Sequence, residues 1–146
     1  MFNEDGERIV GLFHVQIEVA NNQDVILTEM GLLDPGKVRR CKVRGLVDCG
    51  ATRLVLPATV VKKLGLPVTK RVRVRYADRR VRIRDAISNV YVDLMGRSGV
   101  FTAAVEPKRR TALIGAIVLE DLDFIIDPSG ERLVPRDPKF VVSEIE

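Results

Sequence analysis

One carboxylate stands out for the residues around it. In Gly45-Leu46-Val47-Asp48-Cys49-Gly50-Ala51-Thr52-Arg53-Leu54-Val55-Leu56-Pro57, an apolar run ends at Asp48, small residues follow, and a second apolar run begins almost at once. Short apolar runs read as buried strands, and Gly50 reads as a tight turn that a residue without Cβ makes cheaply. An isolated Asp-x-Gly is ordinarily a surface β-turn. Here both flanks are too apolar for a surface. The expectation is a carboxylate displayed by a buried loop, where its pKa can be tuned for proton transfer.

Other chemistry is scarce. His14 is the only histidine and falls on the polar side of an alternating segment. Cys41 and Cys49 have neither CxxC spacing nor a His partner, which points away from zinc and from a disulfide framework and fits a reducing cytoplasm. No Ser-His-Asp or Cys-His arrangement and no phosphate-binding Gly-rich loop is visible, so neither a cofactor nor a metal is expected. Asp127-Pro128-Ser129-Gly130 has the wrong spacing for a second displayed carboxylate, and its proline reads as a turn.

The elements that must position Asp48 follow from periodicity. Ile9 to Ala20 alternates as a strand, Asn21-Asn22-Gln23-Asp24 reads as a turn, and Val25 to Leu27 as a short returning strand. After a loop at Asp34-Pro35-Gly36, Lys37 to Val47 leads into the Asp48 loop, with Arg40, Lys42 and Arg44 on one face. Arg53 to Leu56 is a strand, Pro57 opens a helix over Ala58 to Leu64, and Gly65 stops it. Arg71, Arg73 and Arg75 alternate with Val72, Val74 and Tyr76; beyond a turn, Arg80, Arg82 and Arg84 alternate with Val81 and Ile83. This predicts a β-hairpin with one face almost entirely arginine. A second hairpin is expected around Gly96-Arg97-Ser98-Gly99, a short helix near Ile117 to Leu122, a strand at Phe124 to Ile126, and a terminal strand at Phe140-Val141-Val142.

The chain has 146 residues, 46% of them apolar and 5% aromatic, enough for one domain with a core built from Val, Ile and Leu. No run reaches bilayer length, so no membrane partner is expected, and the acidic N-terminus lacks the basic and apolar parts of a signal peptide. Charge is segregated: between Lys37 and Arg84 there are 16 Lys and Arg against only Asp48 and Asp78. Such a block is a nucleic-acid face, a basic substrate cleft or a solvated sheet face. The solvated face is the commonest outcome, and nucleic acid ranks below it.

The order apolar-apolar-Asp-x-Gly-Ala, then an apolar run, then Pro57 opening a helix, resembles the retropepsin-like aspartic peptidases, whose catalytic motif is Asp-Thr/Ser-Gly-Ala. Leu113-Ile114-Gly115, followed by Leu119 to Leu122, resembles the family's apolar-apolar-Gly segment that wraps beneath the active-site loop. The resemblance spans roughly Phe13 to Pro135 and departs at Cys49, in the Thr/Ser position. It implies an all-β fold, a closed acid-protease barrel with one or two short helices, as a single domain over 1–146 with its core at about 9–135 and its termini in a dimer interface or mobile. Asp48 is the implied catalytic residue. Cys49, Gly50, Ala51 and Thr52 form the active-site loop, and Leu113, Ile114 and Gly115 its support. Tyr76, Ala77, Asp78, Arg79 and Arg80 form the tip of a flap that lacks the family's usual glycine. Because peptide hydrolysis in this family needs two carboxylates and the chain offers one suitable Asp-x-Gly, the second comes from another copy. The implied protein is a homodimeric, cytoplasmic aspartic endopeptidase acting on extended peptide. The competing expectation is an inactive binding module of the same fold, holding nucleic acid or an acidic protein segment on the arginine hairpin.

Overall fold

A computed structural model of the chain describes residues 13–127, 129 and 131–146. Nine strands and three short helices are present among them: β1 (Phe13–Asn21), α1 (Asn22–Glu29), β2 (Arg40–Val47), β3 (Leu54–Pro57), α2 (Ala58–Leu64), β4 (Val68–Arg75), β5 (Val81–Leu94), β6 (Arg97–Glu106), β7 (Ala112–Ile114), α3 (Ala116–Asp121), β8 (Phe124–Asp127) and β9 (Arg132–Pro135). Six strands pair in the order β1-β2-β7-β3-β6-β5, and a β1–β5 pairing closes the ring. The all-β, closed-barrel expectation holds. Closure removes the open edges along which sheets aggregate. β4 lies outside the ring as an edge strand on β5 and carries Lys70, Arg71, Arg73 and Arg75, charges of the kind that blunt an exposed edge.

Alternation fixes which face of each strand turns inward. On β2, Val43, Gly45 and Val47 are buried while Arg40, Lys42 and Arg44 are exposed, as their spacing predicts. Leu54, Leu56, Ile87, Val92, Leu94 and Ile114 are fully buried in the barrel core. Each such side chain contributes roughly 1.5–3 kcal/mol on leaving water. β5 is one continuous strand of 14 residues: its first half pairs with β4 and its second with β1 and β6. The register shifts between Ile87 and Val90, where Asn89 adopts φ +63°, and this bulge bends β5 as it leaves the hairpin for the barrel wall. Met95 and Gly96, both at positive φ, make the two-residue turn into β6.

Two expected elements are different. Asn21 to Leu27 is not a turn and a strand; α1 occupies this segment. The Asn21 side chain caps it by accepting from the N–H groups of Gln23 and Asp24, and donates in turn to the Leu64 carbonyl at 2.9 Å. Asp24, buried in the first turn, accepts from Arg39 Nε at 2.8 Å and Nη2 at 3.0 Å, a tertiary pair that holds the helix where its own sequence is only weakly amphipathic. Nor do Phe140 to Val142 form a strand. Asp137 accepts from the N–H groups of Lys139 and Phe140, the Arg97 guanidinium takes the Asp137 and Phe140 carbonyls, and Asp123 accepts from the Val142 N–H at 2.9 Å. Side chains thus occupy groups that a ladder would need. Residues 9–12 of the expected first strand and two residues of the 127–130 turn lie outside the described residues. No helix among those described is long and apolar enough to cross a membrane.

Candidate active site

β2 and β7 run parallel, pairing Val47 with Ile114, and the chain leaves β2 directly into the Asp48 loop. Asp48 is buried, 8% exposed. Its N–H donates to the Ile114 carbonyl at 3.0 Å, and its Oδ1 accepts from the Gly50 N–H at 2.9 Å. The Ala51 N–H returns to the Asp48 carbonyl at 3.1 Å, closing the turn. The carboxylate is therefore oriented by backbone groups on its own loop.

The loop is braced from below. Ala116 and Ile117 donate their N–H groups to the Ala51 and Thr52 carbonyls at 2.8 and 2.9 Å. Gly115 makes this approach possible: a Cβ there would lie 2.6 Å from the Arg53 carbonyl oxygen and 2.8 Å from both the Ala51 oxygen and the Arg53 nitrogen. These are backbone atoms with nowhere to yield, so glycine is required by space rather than by dihedral freedom. Leu113, Ile114 and Gly115 and the segment Asp48 to Thr52, picked out from distant parts of the sequence, are thus brought together. Within the loop Gly50 and Thr52 are exposed, while Cys49 is half-buried and packs against the core. Cys41 and Cys49 are both free thiols. Among the described residues no cluster of three or more His, Cys, Asp or Glu is placed to hold a metal ion. Asp127 serves its own turn, accepting from Ser129 Oγ at 2.7 Å and pairing with Arg132.

The predicted hairpin is β4–β5, but its arginines do not share a face. The ladder pairs Arg75 with Val81, Arg73 with Ile83 and Arg71 with Asp85, while Val74 faces Arg82 and Val72 faces Arg84. Directly opposed residues of an antiparallel pair point to the same side. Arg71, Arg73 and Arg75 therefore share an outer, exposed face with Val81 and Ile83. Arg82 and Arg84 share the inner face with the half-buried Val72 and Val74. The turn sets this parity: Tyr76 and Arg80 pair across the three residues Ala77-Asp78-Arg79, and Arg79 takes a left-handed φ of +71°. The position that glycine ordinarily fills in such a loop is an arginine. Asp78 steadies the turn by accepting from the Arg80 N–H at 3.0 Å and pairing with its Nε at 2.6 Å.

Sequence reasoning missed Glu106. At the end of β6, opposite Pro57, it accepts from both the Tyr76 hydroxyl and Arg84 Nε, the latter at 2.9 Å, and Arg84 Nε also reaches the Tyr76 oxygen at 3.1 Å. The Arg84 and Glu106 side chains are 28% and 14% exposed. Burial, and next the hydrogen bond to Glu106, push the Tyr76 phenol above its ordinary value; Glu106 and then Tyr76 raise the Arg84 guanidinium. A signal existed in the numbering, because Tyr76 and Arg84 have the same parity and so share a face. It becomes legible only once the register is known.

A closed mixed barrel whose aspartate-bearing loop sits on an apolar-apolar-Gly segment is the acid-protease type of fold. The family model of the aspartyl proteases matches residues 35–117, over half the chain, and the chain belongs to that family in its retropepsin-like form. No curated protein matches it.

Proposed function

We propose that the chain is a homodimeric aspartic endopeptidase, a single domain over residues 1–146, in which Asp48 of two copies forms the catalytic pair. The carrying observation is the seat of the Asp48 loop, held by Ile114, Ala116 and Ile117 and closed over Gly115. Two carboxylates brought close cannot both ionise cheaply, so they share one proton and titrate as a pair. The ionised Asp48 takes a proton from a water as its oxygen attacks the amide carbonyl. The protonated partner donates to the carbonyl oxygen, and collapse of the tetrahedral species passes a proton to the departing amine. The water supplies the added oxygen, and no cofactor enters. A two-fold axis through the pair supplies the second carboxylate that one copy lacks. The two free thiols fit a cytoplasmic setting.

The test is cleavage of a general peptide library at acid pH by the native chain and by Asp48→Asn, with sedimentation run alongside. Cleavage by the native chain that Asp48→Asn reduces at least a thousandfold, and that tracks the dimer, supports the reading. Equal cleavage by both chains, or activity from a sedimenting monomer, refutes it.

A second reading is favoured by the outer face of the hairpin, where Arg71, Arg73 and Arg75 line up on one side and Asp85 stands 3.8 Å from Arg71. There the fold is a binding module for nucleic acid or an acidic protein segment. Its mark is binding that falls steeply with added salt and is indifferent to Asp48→Asn.

A further inference from the structure

Beyond the rung Arg71–Asp85, residues 72–84 of the hairpin pair, among the described residues, only with one another. Among the described residues, the hydrogen bonds and ion pairs that tie this stretch to the rest of the barrel all end on Glu106. The tether reaches both parts of the hairpin: Tyr76 belongs to its turn and Arg84 to the inner face of its returning strand. Tyr76 donates to the carboxylate and accepts from the guanidinium, so the three groups form one closed set. The Arg84–Glu106 pair is largely out of water, and removing one member of such a pair leaves a desolvated charge behind. Partial opening is therefore poorly tolerated, and the set breaks as a unit.

We propose that Glu106 is the positioning residue of the hairpin: it lays the inner face against the end of β6, and its release from Tyr76 and Arg84 is the step that lets the hairpin lift. Resting on the protease reading above, this makes the Glu106 tether the gate for an extended peptide. The peptide would have to pass between the inner face of the hairpin and the barrel. Glu106 lies opposite Pro57, at the far end of β3, the strand that leaves the Asp48 loop, so the gate and the candidate catalytic loop are joined through one short strand.

The test is amide hydrogen exchange, read segment by segment on the full chain without substrate, for the native protein, Tyr76→Phe and Glu106→Gln. Tyr76→Phe keeps the ring and removes only the hydroxyl, so it leaves the packing of the inner face in place. Exchange at residues 72–84 is expected to rise about tenfold in Tyr76→Phe and more in Glu106→Gln, where the Arg84 guanidinium loses the charge of its partner, with β1, β2 and β6 unchanged. Unchanged exchange at 72–84 in both variants overturns the proposal. So does acceleration of the barrel strands in step with the hairpin, which would make Glu106 a general structural residue. Because no substrate is needed, the two readings fail separately. A chain that cleaves nothing while 72–84 responds loses the protease reading and keeps the tether; Asp48-dependent cleavage with an unresponsive hairpin loses the tether alone.

Discussion

The Asp48 loop and the β4–β5 hairpin are held by opposite means. The loop is fixed by backbone bonds: Asp48, Ala116 and Ile117 donate to the Ile114, Ala51 and Thr52 carbonyls across two segments about 65 residues apart in sequence. Among the described residues, the hydrogen bonds and ion pairs that tie residues 72–84 of the hairpin to the barrel come from side chains, Tyr76 and Arg84 on Glu106. Backbone bonds within a buried, close-packed seat can only break together with the fold. A side-chain tether at the end of one strand can break alone. The molecule thus separates a part that must keep its geometry from a part able to move without disturbing it.

Breaking the seat should have the largest effect. Gly115→Ala forces a Cβ to within 2.6–2.8 Å of the backbone at Ala51 and Arg53, so the loop must shift or the barrel must open around it. Overpacking costs roughly 1–3 kcal/mol, and loss of the Ala116 and Ile117 bonds adds to it. The expected loss is about 3 kcal/mol, read as a lower urea midpoint with unchanged m. Stability within about 0.5 kcal/mol of the native chain, the range of an ordinary surface substitution, would show that the loop is not seated on Gly115 as described.

The next effect is smaller and lies between subunits. In the proposed dimer Cys49, adjacent to the Asp48 pair, lies near the two-fold axis, and a thiol is a weaker donor and acceptor than a hydroxyl. Cys49→Thr should tighten the dimer by about one to two decades if two symmetric contacts of roughly 0.5–1.5 kcal/mol each are gained. Sedimentation of both chains, fully reduced, reads this directly. Cys49 packs against the core, which supplies the competing outcome: weaker dimerisation in the threonine chain would mean that the surroundings are fitted to sulfur.

Much of this was legible in the sequence, and the losses have physical causes. Asp48 is readable because it ends an apolar run and precedes a turn glycine, and Gly115 because an apolar pair leads into a glycine that the backbone at Ala51 and Arg53 leaves no room to replace. The strands followed from their period-two alternation, and the closed barrel from the resemblance to the retropepsin-like peptidases. The arginine face was misplaced because alternation along each strand says nothing about parity between strands, and a three-residue loop sets Arg71, Arg73 and Arg75 against Val81 and Ile83. α1 was read as turn and strand because what holds it is tertiary: Asn21 bonds to Leu64, and Asp24 to Arg39. Glu106 was invisible for the same reason, since its partners lie 30 and 22 residues away on the other side of the register.

The hairpin side of the comparison sharpens at its turn. Arg79 sits at φ +71°, where an L-residue pays about 1–2 kcal/mol and glycine does not. Glycine also gives up roughly 0.5–1 kcal/mol through its greater freedom in the unfolded chain. Arg79→Gly should therefore stabilise the turn by a net of about 0.5–1 kcal/mol. Slower exchange of the Tyr76 amide, which donates to the Arg80 carbonyl, would show it, with the Asp48 loop unaffected. Faster exchange would mean that the Arg79 side chain contributes more than its backbone costs.

The smallest effect concerns the tether's own ionisation. The Tyr76 phenol stands above its ordinary value of 10.0, first through burial and next through its bond to Glu106, with Arg84 pulling the other way. A folded value raised above the unfolded one fixes the sign: as pH rises past about 10, the unfolded phenol loses its proton first. The tether's contribution is therefore complete below that pH and is lost as pH climbs through the folded value. Ultraviolet titration of a Tyr91→Phe chain, in which Tyr76 is the only tyrosine, reads it alone. The midpoint should lie above that of a free phenol, and adding Glu106→Gln should bring it part of the way back, because burial persists when the carboxylate charge is gone. A native midpoint below the free value would mean that Arg84 outweighs both other influences. Rising pH would then strengthen the hold on the hairpin, reversing the sign derived above.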